Sequence, residues 1–129
     1  MLFRSSSRVK VTHQDSVEFL SQWAKANVGK RTINLLYLDS FDVDLIYWQP
    51  SAIHHLKELL AINRCIDEKT LVVIDDSAVA ASVIPNGNGS FTTVAAPAIG
   101  GKGRLIAQYA DSVGAQLVFA SYQVGWTGL

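Results

Sequence analysis

The chain has little of what usually marks a partner or a compartment. Its single cysteine, Cys65, can form no internal disulfide. No Cys/His group has zinc-site spacing. Eleven basic residues balance eleven acidic ones, so the formal net charge is zero and neither nucleic acid nor an anionic membrane is called for as partner. No apolar run is long enough to cross a bilayer, and the opening MLFRSSSRVKVTH lacks a signal-peptide core, which makes a cytoplasmic location the expectation. Internal repeats and long linkers are missing too. Hydrophobic residues at 49% against 17% charged exclude a disordered chain, and 129 residues make one domain with room for a real core.

Residues 33–44, INLLYLDSFDVD, organise the rest. The run from Ile33 to Leu38 is almost unbroken in its apolar character and stops at Asp39, with Asp42 and Asp44 following. A run without alternation reads as a strand buried on both faces of a parallel sheet. Residues 70–74, TLVVI, form a second such strand, with Asp75 and Asp76 directly after it. Open α/β sheets bind ligands at the carboxyl ends of their strands, so two strands that both finish in acid predict one shared acidic site. Aspartates are also common in loops after strands for reasons of turn chemistry alone, and that reading stays open for each one.

The other elements follow from local patterns. Residues 8–12, RVKVT, alternate as in a short strand. Asp15 and Glu18 have the form of a capping box, opening a helix to about Ala26. Pro50 favours a helix over about 51–63, with Ala52, Ile53, Leu56, Leu59 and Leu60 inward, Lys57 and Glu58 outward, His55 on the margin and His54 towards solvent. Residues 77–101 carry no charged side chain. Within them, 79–84 and 91–95 flank the turn signal PNGNG, which predicts a hairpin or flap beside the acids. The GGKG turn at 100–103 opens a helix through Val113 with Gly114 as its stop, and a glycine-rich helix start can receive an anion or merely make a tight entry. Residues 116–121 read as a third core strand, and 122–129 as an ordered aromatic tail.

The order of these elements, with the phrases LLYLDSFDVD, SAIHHLKELL, TLVVIDDS, GGKG and YQVGW, resembles the C-terminal two-thirds of a class I S-adenosylmethionine-dependent methyltransferase over roughly residues 9–126. The resemblance implies a three-layer, Rossmann-like α/β sheet, mostly parallel, truncated by its first two strands, those that carry the glycine-rich cofactor loop and the ribose-binding acid. It places Asp15 and Ser16 near the adenine of S-adenosylmethionine and Asp39 beside the cofactor. In the metal-dependent O-methyltransferase branch, carboxylates matching Asp39, Asp75 and Asp76 hold a divalent cation such as Mg²⁺, which binds adjacent oxygens of a small-molecule acceptor and lowers the pKa of the hydroxyl. The branch's basic residue three places after the first aspartate is Asp42 here, so the proton acceptor falls to Asp42, His54 or His55. A sheet without those strands has a raw edge that invites a second copy of the chain.

Two other classes remain. One is an inactive remnant that serves as a homo-oligomeric interaction module. The other is a phospho-acceptor receiver domain, in which the acid pair precedes the lone acceptor aspartate, the reverse of the order here.

Overall fold

Asp15 caps the first helix as its sequence predicts, its carboxylate accepting the Glu18 N–H at 2.9 Å. In the computed structural model, which describes residues 8–44, 46–78, 81–95 and 99–129, that helix is α1 (Ser16–Asn27). Glu18 completes only half of the capping box, since its carboxylate turns to Gln22 instead. Helix α2 (Gln49–Ile62) carries Pro50 in its first turn, and α3 (Arg104–Val113) is entered through a short 3₁₀ turn (Gly101–Gly103). Gly114 ends α3 in the left-handed region at φ 69°, where a residue without Cβ is favoured. Arg104 stacks over Trp48 at 4.0 Å and ties the start of α3 to the start of α2.

The main sheet has four strands, β1 (Leu35–Leu38), β2 (Leu71–Ile74), β5 (Gln116–Ala120) and β6 (Val124–Thr127), in the order β1-β2-β6-β5. β1 and β2 are parallel, pairing Leu36 with Val72 and Leu38 with Ile74, and α2 supplies the crossover that a parallel pair needs. β6 runs antiparallel to both its neighbours, so the sheet is mixed. A separate hairpin, β3 (Ala81–Pro85) with β4 (Phe91–Ala95), forms where the PNGNG turn predicts, with Gly87 and Gly89 both at positive φ. The first residues assigned to that hairpin by sequence, Val79 and Ala80, lie outside the described residues, as do 96–98 of the uncharged segment.

One core joins the three helices to one face of the sheet. Leu36, Leu38, Val72, Ile74, Val124 and Trp126 meet Ala24 of α1, Leu59 and Ile62 of α2, and Ile106 and Ala110 of α3. Each fully buried aliphatic side chain there is worth about 1.5–3 kcal/mol of transfer free energy. The described residues therefore form two layers rather than three, and β1 is buried on one face only. Leu35 and Tyr37 point the other way and are 59% and 47% exposed, because no helix among the described residues covers that side.

Four further expectations are revised. Residues 8–12 make no strand: Val9 and Val11 stand exposed and pair with none of the described strands. β5 is an exposed edge strand, and its place in the core is taken by β6, where the sequence predicts an ordered tail. The buried stripe of α2 is Ser51, Ala52, His55, Glu58, Leu59 and Ile62. Ile53 and Leu60 turn outward, and His55 and Glu58 turn inward, because the end of β1 offers Glu58 polar partners.

Candidate functional site

β1 and β2 run side by side in the same direction, so their carboxyl ends deliver Asp39, Asp75 and Asp76 to one place. One carboxylate oxygen from each lies within 4.8 Å of the others. The acids therefore meet as the strand pattern predicts, and an open cleft of about 760 Å³ beside them is lined by Asp39, Phe41, Asp42, Val43, Asp76 and Lys102. Phe41 and Asp76 both hold positive φ, at 70° and 49°, which for residues other than glycine is a strained backbone of the kind that gathers at functional sites.

Lys102 stands among these acids. Its Nζ lies 2.8 Å from Asp76 Oδ2 and 3.1 Å from Asp39 Oδ1, and the side chain is only 2% exposed. Burial pulls this ammonium downward in pKa, but the hydrogen bonds to Asp76 and Asp39 outweigh it and the net shift is upward. Lys102 is thus a fixed cation at neutral pH and cannot act as a base. The same pairing, with the Tyr122 hydroxyl donating to Oδ1, holds Asp76 below the usual carboxylate range. Asp75 is held low by the Tyr37 hydroxyl, assisted by the Asp76 N–H at 2.7 Å and Gln123 Nε2 at 3.3 Å. Tyr37 pays in return, its phenol pushed up to about 12 by the hydrogen bond to Asp75.

The donor set is chemically right for a hard divalent cation, since it consists of carboxylates. Its oxygens are already engaged. Among the described residues, both oxygens of Asp75, both of Asp76 and Oδ1 of Asp39 have donors, which leaves Asp39 Oδ2 open. As arranged, the three acids accommodate an ammonium and two phenols, and a metal shared by Asp39 and Asp76 would have to take the place that Lys102 holds between them.

The remaining predicted residues form a second cluster, reached from the residue after Asp39. Ser40 donates to Glu58 Oε1, Ser16 Oγ lies 3.2 Å from Ser40 Oγ and 2.9 Å from His54 Nε2, and His55 Nδ1 is 2.5 Å from Glu58 Oε2. Burial pushes the Glu58 carboxyl up, but hydrogen bonds from His55, Ser16 and Ser40 outweigh it and leave the group below its ordinary value. With Glu58 ionised, His55 Nδ1 must donate, and its buried Nε2 has no partner among the described residues. This is no Ser-His-acid relay: Ser16 and Glu58 both face the same nitrogen of His54, the acid at 3.5 Å.

Of the sequence-predicted acceptors, only Asp42 lines the cleft; His54 and His55 are committed to the second cluster. Asp15 spends its carboxylate on the helix cap, whereas Ser16 joins the polar network. Lys102, Tyr37, Tyr122 and Gln123 escaped sequence reasoning. The GGKG turn has the form of an anion receiver, yet its lysine turns to the chain's own carboxylates. The available signal was position: Lys102 is the first charge after the uncharged run 77–101. Comparison with protein-family models, curated proteins and solved structures finds no match, so the site is read from its own geometry.

Proposed function

We propose that the chain is an S-adenosylmethionine-dependent methyltransferase-like protein acting on a hydroxyl of a small molecule, with the ligand cleft at the carboxyl ends of β1 and β2. The observation that carries this reading is the convergence of Asp39, Asp75 and Asp76 beside an open cleft at the end of a parallel strand pair, where α/β sheets bind their ligands. Three carboxylates against one ammonium leave two negative charges there, an environment that suits a sulfonium cation. Phe41 offers an aromatic wall, stacked on His54 at 5.0 Å between ring centres, and Asp42 stands in the cleft as the acceptor for the hydroxyl proton. The rate would come chiefly from holding acceptor oxygen, methyl carbon and sulfur in line. The divalent-cation part of the reading has its carboxylates in place but must contend with Lys102, which holds two of them.

Calorimetric titration with S-adenosylmethionine, with and without Mg²⁺, tests the proposal. Saturable binding that weakens in Asp39→Asn supports it; no heat at millimolar cofactor in either buffer defeats it.

A second reading, a self-associating interaction module, is favoured by a different observation. The outer edge of β1 has no partner strand among the described residues, and the uncovered sheet face presents Leu35 and Tyr37.

A further inference from the structure

We propose that Lys102 is a built-in cation, its ammonium standing at the acidic end of β1 and β2 where a divalent metal would otherwise be needed. The inference deepens the reading above and rests on it only for the identity of the ligand. A lysine on a protein surface ordinarily keeps its charged end in water. This one is threaded inward from a turn shaped to deliver it. Gly101 adopts φ 55°, a conformation that side chains other than glycine rarely take. At Gly103 a Cβ would come within 2.5 Å of Ser77 Oγ, so the turn can approach the end of β2 only because that atom is missing. The backbone is stitched to the same end of β2, with the Lys102 N–H donating to the Asp76 carbonyl at 3.2 Å and the Gly100 N–H to the Ala78 carbonyl at 3.0 Å.

The electrostatics run in the same direction. Three carboxylates gathered within a few ångströms repel one another, and something positive must hold them together. Lys102 does so for Asp39 and Asp76 at 3.1 and 2.8 Å, while the phenols of Tyr37 and Tyr122 stabilise the remaining negative charge by donating to Asp75 and Asp76. A divalent ion would need oxygens that already have donors and would sit against a fixed positive charge. Lys102 is accordingly a positioning residue: it sets Asp39 and Asp76 for a ligand, and it excludes the metal.

The test is isothermal titration of Mg²⁺ and of Mn²⁺ into the wild-type chain, Lys102→Arg and Lys102→Gln, each checked for folding by circular dichroism. The wild type and Lys102→Arg should show no saturable site, and Lys102→Gln should gain one at least roughly tenfold tighter than the weakest binding the titration detects, lost again when Asp76→Asn is added. A saturable Mg²⁺ site in the wild type that disappears in Asp75→Asn overturns the inference, and so does a folded Lys102→Gln that binds metal no better than the wild type. If Lys102→Gln does not fold, nitrogen NMR of the wild-type ammonium decides: a protected Lys102 signal unmoved by Mg²⁺ is expected, and its displacement by Mg²⁺ overturns the proposal. Titration of S-adenosylmethionine in chelator-treated buffer separates the two ideas. Cofactor binding that requires Mg²⁺ sinks the built-in cation and leaves the methyltransferase reading standing. Failure to bind cofactor alongside a metal-blind wild type does the opposite.

Discussion

Tyr37 reports on the acidic site from outside it. Its hydroxyl donates to Asp75, and an anion that accepts the phenol's hydrogen bond disfavours phenolate, which is why ionisation is pushed up to about 12. In Asp75→Asn that penalty goes, and the phenolate absorbance of Tyr37 should appear near the ordinary value of about 10; an unmoved titration would separate the two groups. Glu58 is the residue whose loss should cost most. It is 1% exposed and serves Ser40 and His55 at once, so Glu58→Ala strands two partly or fully buried polar groups at about 1–3 kcal/mol each. Chemical denaturation should show that loss, and Glu58→Gln, which can still accept one hydrogen bond, should lose less. At Gly103 the space beside Ser77 is already spent, so Gly103→Ala should destabilise by about 1–3 kcal/mol and loosen the turn that carries Lys102.

Among the elements, those with a strong local code were legible in the sequence and those defined by their neighbours were not. Asp15 at the start of α1, Pro50 in α2 and Gly114 at the end of α3 each mark a boundary by backbone chemistry that needs no tertiary partner. Asp15→Ala should therefore cost about 1 kcal/mol in a thermal melt. The meeting of Asp39 with Asp75 and Asp76 was legible too, because it follows from two apolar runs each ending in acid. β6 was not. Its residues, VGWT, are central only because β2 and β5 flank them, and nothing local distinguishes such a segment from an ordered tail. The inward turn of His55 and Glu58 was likewise hidden, since helical periodicity counts both as polar and gives no weight to a serine waiting at the end of another strand. Acid should undo these elements in a predictable direction. Asp75, Asp76 and Glu58 are all more acidic folded than free, so their contribution is complete above the ordinary range of about 3.9–4.3 and drains away as pH falls through the lowered folded values. Melting temperature should drop steeply below about pH 4, and less steeply in Glu58→Gln.

For the molecule as a whole, the uncovered sheet face is the feature with the clearest consequence for behaviour in solution. Leu35 and Tyr37 lie on it beside the edge of β1, which no described strand pairs, and a charge placed there opposes strand-to-strand association. If copies of the chain associate through this surface, Leu35→Lys should shift sedimentation towards the monomer at equal concentration while leaving S-adenosylmethionine binding intact. The position of β6 bears on how the molecule comes into being. Val124–Thr127 must slot between β2 and β5, so among the described strands β5 has nothing to pair with until β6, the element after it in the chain, has been made. The helices and the β1-β2 pair can assemble before β6 is made, but β5 joins the sheet only afterwards. A premature stop after Tyr122 would then leave β2 with an open flank and β5 adrift, a product fit for degradation.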